Sequence, residues 1–282
     1  MSPIRIIILL VLLAAIVGGT GIAYYDFFVL PNKRVEKEKA IAAAAVPTPT
    51  PDYSLAEFEK IQKAQTDDKP LEARDAYLVF IEKYPNSSKL ADAKKAVGDL
   101  SIQMLFSDFR TPEKEEYTVI KGDALVKIAS KTKASVDLIY RANNMSSINL
   151  QIGQVLLIPK LQPSIVIDRK AATLSILDNG KLLKEYPIVS FKGSGSAGGT
   201  TSMQVKEKAS LLGDKRVAFG SKEYAASDRW IMLSNSGIII RSAPEAPEGG
   251  GEPVLPGGIV LNRSDIDELY VLVNKGTPVK ID

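Results

Sequence analysis

The sequence predicts a multi-domain α+β protein, in which an apolar amino-terminal helix precedes a helical hairpin, a small β-α-α-β domain and a mainly-β domain. Three observations lead to this prediction. Apolar residues fill positions 4–23, helical periodicity follows over 53–109, and strand-like alternation broken by turn residues dominates 164–282. A chain of 282 residues has room for two or three domains of modest size.

The first segment, 1–31, is predicted to be a transmembrane anchor or a signal segment. Ile4 to Ala23 is almost wholly apolar, and aromatic residues follow directly over 24–28. About 20 apolar residues are enough to span a bilayer, and aromatic residues are enriched at the membrane interface. We therefore expect an uncleaved transmembrane helix, while the small residues at 21–23 leave a cleaved signal peptide as the alternative.

Residues 32–52 form the predicted linker, because alternating proline over 47–51 keeps a chain extended and semi-rigid. Residues 53–110 follow with apolar side chains at helical spacing and a break at Pro85. The stretch AYLVFIEKYPNSSKLADAKKAV resembles the helix-turn-helix of tetratricopeptide-like envelope proteins. This segment is either a plain helical spacer or a surface that binds a protein partner.

The next segment, 116–160, has a β-α-α-β pattern. A branched strand over 117–120 leads to a Gly-Asp turn, and two short helices begin near Leu125 and at the capping residue Ser135. A second strand over 155–158 ends at Pro159.

These residues, YTVIKGDALVKIASKTKASVDLIYRANN and then INLQIGQVLLIPK, resemble the lysin-motif (LysM) family over nearly the whole segment. The resemblance implies binding of glycans that contain N-acetylglucosamine, in a groove between the loop after the first strand and the loop before the second. The residues at these positions are the candidate glycan-binding residues: Gly122, Asp123, Ala124, Leu125, Asn149, Leu150, Gln151 and Ile152. Ala124 and Val126 stand where the family usually has hydroxyl residues, so we expect fewer hydrogen bonds and a weaker affinity. A purely structural small domain is the alternative.

The last segment, 164–282, is rich in predicted strands. Asn179-Gly180 suits a tight hairpin turn, because both positions of such a turn need positive φ. Further strands are expected over 230–233, 237–240 and 277–281, with a helix over 262–273.

Both ends of this segment, IVIDRKAATLSILDNGKLLKEYPI and GGIVLNRSDIDELYVLVNKGTPVKI, resemble the L,D-transpeptidase catalytic domain, whereas 190–229 departs from it. Active members of that family use a cysteine in Ser-His-Gly-Cys-x-Arg together with a histidine. Here Gly258 stands at the cysteine position, Pro256 at the histidine position and Val260 at the arginine position. Arg241 begins the stretch that replaces the family's His-Gly-Thr. The resemblance therefore implies a degenerate domain without catalytic residues.

Composition supports this interpretation, because the whole sequence contains neither cysteine nor histidine. A thiolate nucleophile and the usual triad base are both absent, and no metal or cofactor is expected. The serines Ser236, Ser242 and Ser264 lack an evident base partner, and Ser264 suits a helix cap. The net charge of +3 comes without a basic block, which argues against a nucleic-acid partner.

The sequence thus favours a cell-envelope protein that binds peptidoglycan glycan strands. It is expected to be held at a membrane by its amino-terminal helix, with its domains outside the cytoplasm, and to act as a scaffold or regulator of the cell wall. Two other functions remain open. One is an active peptidoglycan L,D-transpeptidase or peptidase with a non-standard nucleophile, and the other is a protein-interaction adaptor that uses 53–110.

Overall fold

A computed structural model describes residues 52–65, 69–192, 201–234, 237–244 and 257–282, together with the single positions 4, 7, 10, 33 and 36. Within these residues, no helix combines the length and the apolar character needed to cross a membrane. Apart from the single positions and Asp52, the predicted anchor at 1–31 and the linker at 32–52 lie outside the described residues. Tyr53–Asp282 forms one compact unit, separate from Met1–Asp52.

Three helices, rather than the predicted hairpin, form the first part of this unit: α1 Tyr53–Ala64, α2 Pro70–Lys83 and α3 Leu90–Leu105. The hairpin prediction was incomplete, because α1 is an additional helix whose apolar face packs on α2. Phe58 of α1 packs against Tyr77 and Phe80 of α2, with ring centroids 5.7 and 5.6 Å apart. Helices α2 and α3 alone correspond to the expected hairpin.

The second part has the predicted β-α-α-β order, with antiparallel strands around two short helices: β1 Lys114–Thr118, α4 Leu125–Thr132, α5 Val136–Ala142 and β2 Val155–Pro159. Strand β1 begins and ends earlier than the predicted 117–120. The cap at Ser135 is confirmed, because its hydroxyl accepts the amide of Leu138 at 3.0 Å.

Asn143, at the end of α5, links α5 to strand β2. Its side-chain amide donates to the carbonyls of Ile139 and Leu157, both at 2.8 Å, and its side-chain oxygen accepts the amide of Leu157 at 2.7 Å. The side chain therefore fixes strand β2 to the helix end.

The third part is a sheet of ten strands, counted over the described ranges, with one helix near its end. Its strands and helix are β3 Pro163–Asp168, β4 Thr173–Asp178, β5 Lys181–Pro187, β6 Ser190–Lys192, β7 Thr201–Leu212, β8 Lys215–Arg216, β9 Asp228–Leu233, β10 Ile239–Ser242, β11 Gly258–Leu261, α6 Arg263–Leu272 and β12 Pro278–Ile281. The strand order is β5-β4-β3-β12-β7-β9-β10-β11-β6, and β8 pairs with β7. The β3–β12 and β10–β11 pairs are parallel and the others antiparallel. We call residues 163–282 the β domain.

Two local predictions in the β domain have different outcomes. Asn179 and Gly180 have φ of 49° and 79°, so the tight turn between β4 and β5 is confirmed. The cap predicted at Ser264 is wrong, because α6 begins at Arg263 and Asn262 occupies the cap position. Ser264 lies exposed in the first helical turn.

All three parts pack against one another. Lys94 of α3 forms an ion pair with Glu185 of β5 at 2.8 Å, and the Ser135 hydroxyl donates to the carbonyl of Val271 at 3.0 Å. Leu105 of α3 and Leu138 of α5 are buried in the main hydrophobic cluster of the β domain. Tyr53–Asp282 therefore contains the three hydrophobic clusters found in the described part of the chain, and it has the cores that independent folding requires.

Candidate functional sites

The two loops predicted to bind glycan are brought together by backbone hydrogen bonds beyond the ends of β1 and β2. The amide of Val119 donates to the carbonyl of Gln154, and the amide of Gly153 donates to the carbonyl of Val119, both at 2.8 Å. The first loop therefore runs beside the second instead of diverging from it.

Asp123 fixes the shape of the first loop. Its carboxylate accepts the backbone amide of Ile120 at 3.0 Å and the hydroxyl of Tyr117 at 2.9 Å. The hydrogen bond from the Ile120 amide is the main cause of the lowered pKa of Asp123. Ala124 follows at the cap position of α4, where no side chain caps the helix.

A groove of about 550 Å³ lies between these loops. It is lined by residues from both loops, from α4 and α5, and from the β domain: Asp123, Ala124, Leu125, Val126, Val136, Ile148, Asn149, Leu150, Ala218 and Phe219. The structure thus brings together five of the eight candidate residues, namely Asp123, Ala124, Leu125, Asn149 and Leu150. The other three, Gly122, Gln151 and Ile152, are exposed outside this lining.

The chemistry of the groove favours an uncharged ligand. Asp123 is the one ionisable side chain among the lining residues, and its carboxylate already holds two hydrogen bonds. Asn149 adds an exposed amide, and the remaining lining side chains are apolar. An apolar surface with a few polar groups suits a ligand that presents both C–H faces and hydrogen-bonding groups.

Five of the ten lining residues were not among the candidates, and two of these five, Ala218 and Phe219, belong to the β domain. They lie between β8 and β9, in the stretch 190–229 that departs from the family resemblance. A single phenylalanine in a segment without periodicity gives no signal that it will reach another domain.

A second candidate site lies where β10 and β11 run parallel, with Arg241 opposite Val260. Gly258 begins β11 with φ of +99°, and a Cβ atom there would lie closer than 3.0 Å to the carbonyl oxygen of Ile239. The backbone at this position accepts glycine and excludes a cysteine side chain. Val260 is fully buried, and Pro256 lies outside the described residues.

Beside these strands is a cleft of about 410 Å³, which has a polar lining: Ala226, Asp228, Trp230, Arg241, Ser242, Ala243, Pro244 and Arg263. Arg241 lies over the ring of Trp230, 5.0 Å from its centroid, and donates to the carbonyl of Gly257 at 2.6 Å. Arg263 forms an ion pair with Asp228 at 3.0 Å. Both guanidinium groups are therefore already engaged by protein atoms.

Ser242 is the one serine among the described lining residues of this cleft. The hydroxyl of Ser242 lies 3.4 Å from a carboxylate oxygen of Asp228, and none of the described lining residues is a lysine. Ser264 is exposed on α6, and Ser236 lies outside the described residues. In the ranges the structure describes, no three Asp, Glu, His or Cys side chains are grouped to hold a metal ion.

A separate ionisable cluster packs where the β-α-α-β part meets the β domain. Lys208 donates to the carbonyl of Val273 at 2.7 Å and lies 4.2 Å from the ring centroid of Tyr270. Burial lowers the pKa of Lys208 to about 8. Lys208 lines neither the groove nor the cleft.

Comparison with known proteins identifies one family within the chain. The LysM domain family model matches residues 117–159. The chain therefore contains a LysM domain. No curated protein matches the chain.

Solved structures with similarity to the chain include three L,D-transpeptidases. The L,D-transpeptidase from Mycobacterium smegmatis is 15% identical, with a TM-score of 0.31 over 46% of this chain and 63% of that one. L,D-transpeptidase 3 from Mycobacterium tuberculosis is 17% identical, with a TM-score of 0.31 over 46% and 65%. The L,D-transpeptidase (Yku) from Stackebrandtia nassauensis is 19% identical, with a TM-score of 0.30 over 44% and 56%. The chain thus spans between 56% and 65% of the length of these three structures.

Proposed function

We propose that this protein is a non-catalytic scaffold or regulator of the cell wall. In this proposal the groove of the LysM domain binds peptidoglycan strands through their N-acetylglucosamine units. The segment 1–31 holds the protein at a membrane, and the domains lie outside the cytoplasm. The β domain, which resembles the L,D-transpeptidase catalytic domain in sequence, supports binding and performs no chemistry.

The observation that carries glycan binding is the groove between the two LysM loops. Leu125 and Leu150 give it an apolar floor, while Asn149 offers an amide at its edge. An acetamido sugar matches this lining, since its methyl and C–H groups are apolar and its amide and hydroxyl groups form hydrogen bonds. An anionic ligand suits it less well, because the ionisable lining residue is Asp123.

The absence of catalysis is supported by the residues at the former nucleophile position. The sequence has no cysteine or histidine, and the backbone at Gly258 excludes a side chain. Arg241 and Arg263 are held by Gly257 and Asp228, so neither is placed freely to stabilise a developing oxyanion.

The helical part acts in this proposal as a rigid spacer and not as an adaptor. Helix α3 packs closely on β5, where a Cβ atom at Gly98 would lie 3.0 Å from Cγ of Lys184. The Lys94–Glu185 ion pair joins the same two elements. This face of the helical part is therefore covered by the β domain.

Binding is tested by sedimentation of the fragment 52–282 with purified peptidoglycan, using two matched charge substitutions. Val126→Glu places a carboxylate on the groove at a side chain that is 68% exposed, whereas Val79→Glu places one on α2, outside both loops, at a side chain that is 61% exposed. We expect Val126→Glu to weaken retention about tenfold or more and Val79→Glu to leave it nearly unchanged. Equal effects of both variants, or no retention of the original protein, would contradict glycan binding in this groove.

Catalysis is tested by following muropeptides during the same incubation. We expect no new cross-links and no cleaved stem peptides over many hours. New products that disappear in Ser242→Ala would show an enzyme with a non-standard nucleophile, and the non-catalytic proposal would be wrong.

A further inference from the structure

The segment 217–227, between β8 and β9 of the β domain, reaches across to the LysM domain. Phe219 packs edge-on against Tyr140 of α5, with ring centroids 5.3 Å apart, and against Tyr224, at 5.1 Å. Phe219 remains only half-buried and lines the groove together with Ala124 and Leu150. One wall of the groove therefore belongs to a different domain from the two LysM loops.

This wall is held in place by hydrogen bonds at its carboxyl-terminal end, and at its other end the amide of Val217 donates to the carbonyl of Ser210 at 2.8 Å. The hydroxyl of Tyr224 donates to the carboxylate of Asp137 in α5. Arg229 donates to the carbonyl of Tyr224 at 3.0 Å and to the hydroxyl of Ser227 at 2.5 Å, and it pairs with Asp267 at 3.3 Å. The position of Phe219 is thus fixed before any ligand binds, which lowers the entropy lost on binding.

The same segment also approaches the second LysM loop. Gly220 has φ of +82°, and a Cβ atom built on it would lie 3.5 Å from Cγ2 of Ile148. Ile148 is itself a lining residue of the groove and is 49% exposed. The segment 217–227 therefore contacts the second loop at the groove.

We propose that the glycan site is composite, with Phe219 of the β domain presenting its ring to a sugar unit held between the LysM loops. This inference rests on the proposed glycan-binding function. A pyranose ring has an apolar face of C–H groups, which packs well on an aromatic side chain, and its acetamido group remains free for polar contacts. The class of ligand is an uncharged oligosaccharide of N-acetylated hexosamines. The β domain then takes part in recognition although it holds no thiol or imidazole.

The test is a calorimetric titration of the full chain, kept soluble in mild detergent, with the tetrasaccharide of N-acetylglucosamine. Phe219→Ala and Phe219→Leu remove the aromatic ring, and Phe219→Leu retains apolar packing in case the alanine variant unfolds. Phe219→Trp keeps a ring. We expect a Kd about tenfold higher for both variants without a ring, and a change of about twofold or less for Phe219→Trp.

Val126→Glu, titrated in parallel, separates this inference from the proposed function. If Val126→Glu abolishes binding while Phe219→Leu binds as tightly as the original protein, the composite site is wrong and the LysM groove stands. Tighter binding by Phe219→Leu would also overturn it, because the ring would then cover the groove instead of extending it. If the original protein does not bind the tetrasaccharide, the proposed function fails and this inference fails with it.

Discussion

Replacing Gly258 by cysteine, the residue that the family uses at this position, is expected to unfold the β domain more readily and to restore no activity. A non-glycine residue at φ of +99° costs about 1 to 2 kcal/mol. The Cβ atom would also lie closer than 3.0 Å to the carbonyl oxygen of Ile239, and forcing the backbone apart in a packed sheet costs about 1 to 3 kcal/mol more. Together these terms predict a loss of about 2 to 5 kcal/mol in the free energy of unfolding.

Substitutions at two other glycines distinguish the energetic cost of the steric clash from the cost of the backbone conformation. Gly276 has φ of +90° and no atom within 4 Å of its built Cβ, so Gly276→Ala should lose only the conformational term, about 1 to 2 kcal/mol. At Gly257 a Cβ atom would be 3.7 Å from the carbonyl oxygen of Lys192, so Gly257→Ala should change stability by less than about 1 kcal/mol. Urea denaturation of the fragment 52–282 measures all three. The reasoning would be refuted if Gly258→Cys were as stable as Gly276→Ala, or if Gly258→Cys formed new cross-links in peptidoglycan.

Three further predictions concern stability and are measured by denaturation of the same fragment. Ala124→Ser should raise the free energy of unfolding by about 1 kcal/mol, because α4 begins without a side-chain cap, and an unchanged value would contradict this. Asn143→Ala should lower it by about 2 to 4 kcal/mol, because three hydrogen bonds are lost. Asn149→Ala, at an exposed side chain, should lower the free energy of unfolding by less than about 0.5 kcal/mol. Similar losses in Asn143→Ala and Asn149→Ala would argue against a stabilising role of the Asn143 hydrogen bonds. The pKa of Lys208 is about 8 when folded against 10.5 as its ordinary value, so above pH 8 the unfolded chain binds more protons and stability rises with pH. From about pH 7.5 to about pH 9.5 the free energy of unfolding should rise by about 2 kcal/mol. Lys208→Met should lose most of this rise, whereas Lys206→Met, at an exposed lysine, should retain it.

The helices and strands follow from local signals over much of the chain. In the LysM domain the cap at Ser135, the end of α5 at Ala142 and the closing strand at Pro159 agree with the sequence pattern. The turn at Asn179-Gly180 was equally predictable, because positive φ at two successive positions is a local property. The family model at 117–159 adds that these local signals identify a known domain.

Two elements depend on long-range contacts and could not be predicted from the sequence pattern. The 12-residue strand β7 was missed, and its burial alternates only in part because it pairs with β12 at one end and with β9 at the other. The additional helix α1 was missed as a separate element because its apolar residues are buried against α2, and such contacts between helices cannot be read from periodicity.

The sequence alone determined that thiol and imidazole groups are absent and where the two LysM loops lie. The lack of cysteine and histidine is a property of composition, and the LysM loops are defined by residues close together in the chain. Tertiary structure decided that only five of the eight candidate residues share one groove, and that Gly258 has no space for a side chain. It also decided that Phe219, 95 residues after Ala124, completes the same groove. The physical reason is that steric exclusion and shared surfaces depend on which distant segments pack together, and periodicity within a segment carries no information about them.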